Sequence, residues 1–325
     1  MANQKTVLIT GASGFIGSHL SKALLEQGFQ VRVLVRPKSG KSSPSTDPNL
    51  IRVSGDLKSG DVARASEGCS LVYHLAGATR ANSEAEFMWG NAEGTRAAAV
   101  GAKNAGAKLV YISSLAAAGP GTTQRPRKES DPPEPITPYG RSKLEGEYRV
   151  LETSDLEWCI LRPPGVYGPN DKDFLFAHQA AKFGFFPVLG DPNRAYTLIQ
   201  VHDLVEAIIA CGENPNSSGK TYFAGSPTPV SWDGILETLA RVYKKPYRAL
   251  PLPNVALEMA AQLGEAGRAF GRVGLINRSR QKDLTAIGWV CDVGAIERDL
   301  GVVAKTTLET GFLETANWYK SAGWL

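Results

Sequence analysis

Tyr139 and Lys143 stand four residues apart in Tyr139-Gly140-Arg141-Ser142-Lys143. On a helix that spacing puts both side chains on one face. A free tyrosine titrates near pH 10 and is a poor base at neutrality. An ammonium beside it favours the phenolate and lowers that pKa. Such a tyrosine can exchange a proton with a hydroxyl or carbonyl. Upstream, Val110-Tyr111-Ile112 ends in Ser113-Ser114, and either hydroxyl could polarise a reacting oxygen. Tyr/Lys pairs at this spacing are common on helix surfaces, so the surrounding elements decide what the pair means.

The amino-terminal segment supplies that context. Val7-Leu8-Ile9 predicts a strand, and it runs into Thr10-Gly11-Ala12-Ser13-Gly14-Phe15-Ile16-Gly17. Ile16, Leu20 and Leu24 then recur at helical spacing, and Gly28 is placed to stop the helix. Val31, Val33 and Val35 begin a second strand. Each glycine has a task in a strand–turn–helix of this kind. Gly11 permits the tight turn, Gly14 lets backbone approach a pyrophosphate, and Gly17 allows close packing of helix on strand. The helix amino terminus then offers N–H groups to phosphate.

With its GxxGxxG spacing and preceding Thr10, this loop resembles the short-chain dehydrogenase/reductase superfamily, its extended branch in particular. The resemblance continues in order over about 200 residues. Asp56-Leu57 is similar to the pair that contacts adenine. Leu75-Ala76-Gly77, after Leu71-Val72-Tyr73-His74, resembles the small-residue loop under the cofactor. Asn91-Ala92-Glu93-Gly94-Thr95 is similar to the NxxGT segment, and Tyr139 to Lys143 matches YxxxK. Leu161-Arg162-Pro163-Pro164-Gly165-Val166-Tyr167-Gly168-Pro169 resembles the handover loop to the substrate lobe. Val201-His202-Asp203 resembles the VxD segment.

The resemblance implies a doubly wound parallel-sheet Rossmann fold of the α/β class, with a smaller, mainly helical C-terminal lobe. It implies Ser114, Tyr139 and Lys143 as the catalytic set, with Asn91 anchoring backbone or water. Ser114 is chosen over Ser113 because Gly119 follows it by five residues, as in the family. It implies a cofactor held by Gly11, Ser13, Gly14, Phe15, Ile16, Gly17, Asp56, Leu57, Leu75, Ala76, Gly77, Pro163, Tyr139 and Lys143, with Lys143 on the ribose. The family's dehydratases carry Thr-Asp-Glu where this chain has Ser114-Leu115-Ala116, which argues against water elimination.

NAD enzymes place an acid at the end of the second strand, on the ribose 2′-OH. Here that position is Arg36, followed by Lys38 and Lys41, which favours NADP over NAD. Nucleotide-sugar epimerases usually carry an arginine five residues before the valine of VxD to grip the diphosphate. Tyr196 stands there instead, with Arg194 nearby, and Gly165 replaces the asparagine of the handover loop. The stretch Thr197 to Asp203 looks more like the hydroxysteroid dehydrogenase and dihydroflavonol reductase branch. Three readings follow: a reductase or dehydrogenase of a secondary alcohol or ketone, a nucleotide-sugar epimerase with bound NAD, and a dinucleotide sensor without catalysis. In the epimerase reading Arg194 or Arg280 must replace the missing grip.

Composition excludes other classes. The 325 residues suggest about two domains. The expected division is 1–167 plus about 195–225 for the cofactor domain, and about 168–194 plus 226–325 for the substrate lobe. A net charge of +4 without a Lys/Arg-rich run argues against nucleic acid. Cys69, Cys159, Cys211 and Cys291 form no CxxC pair and read as free buried thiols. Neither they nor His19, His74, His178 and His202 have metal-ligand spacing, so no metal is expected; His74 and His202 read as structural, without partners. No apolar run spans a bilayer and no signal peptide is evident. A cytoplasmic protein acting on a small molecule is therefore expected, without membrane association and with room for a homodimer. Residues 121–138 form a loop, either a lid or solvated. Phe174, Phe176, Phe183, Phe185 and Phe186 line a pocket or make core. Met259 to Phe270 suggests a helix, Ser231 opens another, and Thr306 to Glu309 offers a capping box for the last.

Overall fold

Strands that are apolar at every position can only be buried on both faces, as in a parallel sheet covered by helices. That is the architecture found. The computed structural model describes residues 5–36, 47–189, 191–252 and 286–325. Strands β1 (Thr6–Thr10), β2 (Gln30–Val35), β3 (Leu50–Ser54), β4 (Leu71–His74), β5 (Lys108–Ile112) and β6 (Trp158–Arg162) lie in one sheet. After the short β7 (Gly165–Tyr167), β8 (Phe186–Leu189), β9 (Ala195–Tyr196) and β10 (Leu198–Gln200), β11 (Lys220–Phe223) completes it. The order is β11-β6-β5-β4-β1-β2-β3, all parallel. This is a Rossmann-like α/β fold.

Alternation along β1 sends Val7 and Ile9 to one face and Leu8 to the other. The first face packs on Leu20 and Leu24 of α1 (Phe15–Glu26) and on Leu204 and Ile208. The second packs on Val62 of α2 (Ser59–Ser66) and on Ala98 and Ala102. Gly28 ends α1 as expected. It takes φ +85°, its N–H donates to Leu25 O, and Phe29 N–H donates to Leu24 O, a Schellman closure. Helix α3 (Glu84–Met88) runs through one π turn (Trp89–Glu93) into α4 (Gly94–Asn104). Short α5 (Leu115–Ala118) and then α6 (Pro138–Leu151) follow β5.

The lobe core gathers Phe186, Leu239 and Phe312 around Tyr167. It draws on α7 (Leu175–Lys182), α9 (Trp232–Tyr243) and the last helix, Leu308–Ser321; α8 (Val201–Glu213) stays with the main sheet. Strand β9 pairs with β12 (Val230–Ser231) and β8 with β13 (Ala249–Leu252). Ile296 of helix Gly294–Leu300 joins the core of the main sheet. Ser231 caps α9 as expected, accepting from Gly234 N–H at 3.0 Å. The last cap sits one residue later than the sequence suggests. Thr306 N–H is held by Asp203 Oδ2 at 2.9 Å, so Thr307 becomes the N-cap and accepts from Thr310 N–H. The span Met259 to Phe270 lies outside the described residues.

The segment 121–138 is a pinned loop rather than a free lid, with Thr123, Gln124, Arg125, Lys128 and Ser130 in water. Gly121 and Arg127 exchange backbone hydrogen bonds with Gly288, Val290 and Asp292, and Trp289 in turn bonds Ala195 and Thr197. The Arg127 guanidinium closes the loop on itself through Pro120 O and Glu134. All four cysteines are free and buried.

One charged pair is buried where β6 meets α6. Arg162 donates Nε to Glu147 Oε1 at 2.9 Å and Nη2 to Oε2 at 2.6 Å, and Ser113 donates to the same carboxylate. Both side chains are nearly inaccessible. Removing one partner strands the other's charge. Glu147→Leu should therefore lower unfolding free energy by about 3–5 kcal/mol in a denaturant titration. The double variant Glu147→Leu/Arg162→Met should lose less than that single variant.

Candidate active site

In a doubly wound sheet, ligands sit beyond the carboxyl ends of the strands where the order reverses. Here the order reverses between β1 and β4. The segments singled out by sequence all leave strands at that edge: Gly11 after β1, Arg36 after β2, Asp56 after β3, Leu75 after β4, Ser113 after β5 and Pro163 after β6.

The glycine loop has the geometry its spacing requires. Gly11 takes φ +79°, and a Cβ there would lie 2.6 Å from Ala76 N. A Cβ on Gly17 would lie 2.2 Å from Gly11 O. Gly14 is exposed and is the N-cap of α1, with no side-chain hydrogen bond to the helix. The first-turn N–H groups of α1 thus have no side-chain cap, and Ser13 beside them is exposed. Uncapped amides and a cradle closed to any Cβ fit a dinucleotide pyrophosphate.

Across the edge, Ser113 and Ser114 separate in role. Ser113 is buried on Glu147, whereas half-buried Ser114 caps α5, accepting from Ala116 N–H at 3.1 Å. Its own proton remains available to donate. Helix α6 begins on Thr137, which accepts from Gly140 N–H. A Cβ on Gly140 would lie 2.3 Å from Ala116 O, so the first turn of α6 packs directly on α5. Tyr139 and Lys143 share this helix, and Phe87 meets the Tyr139 ring edge-on at 6.1 Å. Lys143 Nζ donates to Ile112 O at 2.6 Å and sits 4.5 Å from the Tyr111 ring centre. Burial pushes the Lys143 pKa down to about 7, with Glu147 opposing.

His74 does have partners, contrary to the sequence reading. Thr95 donates its hydroxyl to Asn91 O, so His74 Nε2–H must donate to Thr95 Oγ1 at 3.1 Å. Nδ1 is then the acceptor, and Thr10 donates to it at 2.7 Å. Thr10 Oγ1 in turn accepts from Ala76 N–H. Asn91 extends the chain. Its Oδ1 accepts from Ala78 N–H at 2.8 Å, and its Nδ2 donates to Ala78 O and to Ser142 Oγ at 2.8 Å. Ser142 donates to Tyr139 O. One continuous line of hydrogen bonds links the end of β1 to the helix carrying Tyr139. Sequence reasoning missed Ser142 and the role of Thr95. The signals were there: Thr95 lies one helical turn beyond Asn91, and Ser142 stands between Tyr139 and Lys143.

Other positions are as follows. Asp56 Oδ1 accepts from Leu57 N–H, and Leu57 packs under Gly94. Arg36 is exposed, while Lys38, Lys41 and Arg280 lie outside the described residues. Leu115 N–H donates to Pro163 O. Phe15 and Ile16 are half-buried in the first turn of α1. Arg194 is 7% exposed and hydrogen-bonds Tyr196. His202 lies beside Gln200 and Glu314, and so is not without partners either. Of the five phenylalanines, Phe186 is core and Phe174 packs on Tyr167 and Phe312, but Phe176, Phe183 and Phe185 face water. Among the described residues no cluster of three metal-ligating side chains occurs.

Comparison with known proteins agrees with this geometry. The model of the NAD dependent epimerase/dehydratase family matches residues 7–225. A ceramide reductase of Caulobacter vibrioides is 31% identical over 322 residues, covering 98% of this chain and 96% of that protein. A UDP-glucose 4-epimerase of Vibrio cholerae is 28% identical, with 98% and 96% covered. The UDP-glucuronic acid 4-epimerase of Bacillus cereus, solved with UDP-glucuronic acid and NAD, superposes with TM-score 0.77 at 21% identity, covering 98% and 99%. The chain belongs to the NAD dependent epimerase/dehydratase family and is an enzyme of the short-chain dehydrogenase/reductase superfamily.

Burial holds the His74 pKa down at about 3, against 6.5 for the free side chain. Between those values the unfolded chain binds more protons, so stability falls as pH drops through the window. Against wild type, His74→Gln should show a stability slope flatter by about 1.4 kcal/mol per pH unit between these limits. Urea titrations at several pH values measure it.

Proposed function

We propose that this family member is an NAD(P)-dependent oxidoreductase acting on the secondary alcohol or ketone of an uncharged, largely apolar small molecule. The observation that carries the choice is the pair Arg194 and Tyr196. Where an epimerase's diphosphate grip would be expected, the chain has a tyrosine, and the neighbouring guanidinium is buried against it. A diphosphate needs a bidentate cation free to meet it. The 31% identity to a reductase of a lipid supports the same direction.

The geometry supports the following roles. Gly11 to Gly17 would hold the pyrophosphate and Lys143 the ribose. The nicotinamide, when bound, supplies or accepts the hydride. Ser114, its hydroxyl proton uncommitted, donates to the reacting oxygen. Tyr139 gives that oxygen a proton in reduction and takes it back in oxidation. Lys143 serves Tyr139 electrostatically: an ammonium on the same helix face stabilises the phenolate. Burial brings this lysine close to neutrality, so its protonation responds to charge developing beside it. Asn91 and Ser142 fix the first turns of α6 and hence where the phenol sits.

A second reading, a nucleotide-sugar epimerase, is favoured by the 28% identity to the Vibrio cholerae enzyme. Net turnover separates the two. With reduced cofactor and an apolar ketone, the oxidoreductase consumes the cofactor, followed by absorbance. Tyr139→Phe should lower kcat by about 10²–10⁴-fold while cofactor binding, read by thermal shift, is kept. Interconversion of a UDP-sugar without net cofactor consumption would establish the epimerase instead.

Arg36 supports NADP as the preferred cofactor, because a guanidinium complements a 2′-phosphate. Arg36→Ala should weaken NADP binding by roughly tenfold or more and leave NAD binding nearly unchanged. Equal effects on both would remove the preference.

A further inference from the structure

Three aromatic side chains of the substrate lobe stand in water: Phe176 is 63% exposed, Phe183 81% and Phe185 41%. Phe176 and Phe183 are seven residues apart, one at each end of α7, and so share a stripe. Phe183 and Phe185 flank Gly184, whose φ of +77° turns the chain outward between α7 and β8. Apolar surface of this size, gathered on one turn, marks a contact.

Cations surround the turn. Lys182 Nζ lies 5.9 Å from the Phe183 ring centre. A Cβ on Gly184 would meet the Lys245 stem at 3.9 Å. The pairing of β13 with β8 sets Ala249 opposite Phe186, which brings exposed Arg248 toward Phe185. Lys244, the left-handed cap of α9, is the next cation. Lys182, Lys244, Lys245 and Arg248 form no ion pair among the described residues. Asp233 on the adjoining helix is already bonded to the Tyr247 hydroxyl.

We propose that this face docks on the surface of an anionic lipid bilayer. Phenylalanines at the level of the headgroups, ringed by unpaired lysine and arginine, are the chemistry that such a surface recognises. A second copy fits less well, because a two-fold contact through this face sets its own cations against one another. The expectation of no membrane association rested on the lack of a spanning segment. No described helix is long and apolar enough to cross a bilayer, yet lying on one needs no such helix. The proposal goes beyond the catalytic reading and does not depend on it.

The test is co-sedimentation of the full chain with vesicles, followed without substrate. Phosphatidylcholine mixed with phosphatidylglycerol should bind the protein at least about tenfold more tightly than phosphatidylcholine alone, and added salt should weaken that binding. Lys182→Glu/Lys245→Glu should weaken it by about thirtyfold or more. Phe183→Ser/Phe185→Ser should weaken it by at least about tenfold, with melting temperature and cofactor binding unchanged. Absent binding, equal binding to both vesicles, or variants that bind like wild type would overturn the proposal. So would a dimer in size-exclusion that only the phenylalanine variant dissolves, which assigns the face to a second copy.

Discussion

The site depends on how closely three backbone segments approach at the carboxyl ends of β1 and β4. Gly11 leaves no space for a side chain against Ala76, and Gly17 leaves none against the Gly11 carbonyl. Helix α1 is thereby drawn onto the sheet, with its amino terminus aimed across the switch point. A single added methyl at either glycine would push the helix outward and open the cradle. The remaining parts of the site are arranged around that fixed point.

A buried hydrogen-bond line carries the constraint from the cradle to the chemistry. Neutral His74 bridges Thr10 and Thr95, Thr95 bonds Asn91, and Asn91 bonds both the 78 backbone and Ser142 on α6. Every polar group in it has a partner, which is the condition under which a buried network rigidifies rather than destabilises. The π turn at Trp89–Glu93 contains Asn91 itself. Such single turns often occur at functional positions. On the far side of α6, the Glu147–Arg162 pair ties the same helix to β6 and to Ser113. Tyr139 therefore stands on a helix fastened on two sides by polar contacts, which suits the proton donor proposed here, whose position must hold to within a fraction of an ångström.

The sheet and the glycine loop were legible because their physics is local. Apolar runs, a positive-φ glycine and a Schellman stop declare themselves within a few residues. The expectation of Ser114 over Ser113 rested on resemblance alone. The structure gives the physical difference: one hydroxyl is consumed by Glu147 and the other is not. The partners of His74 were missed because Thr10 and Thr95 are distant in sequence and meet it only through strand pairing and helix packing. The pinning of the 121–138 segment was missed for the same reason. Its backbone partners lie at 288–292, and no local signal announces a pairing across so much chain. The last helix cap slipped by one residue because a distant carboxylate, Asp203, claims the Thr306 amide.

The lobe obeys a different rule from the cofactor edge. At the edge, backbone groups are held in fixed positions by glycines and short polar side chains. In the lobe, large side chains meet one another. Arg194 is spent on Tyr196, and Tyr167, Phe174 and Phe312 fill the interior against one another. The loop 121–138 is bridged to Trp289 and Cys291, and Trp289 is bridged in turn to Tyr196. An anion that met this buried guanidinium would have to give up its own hydration. An uncharged substrate incurs no such cost.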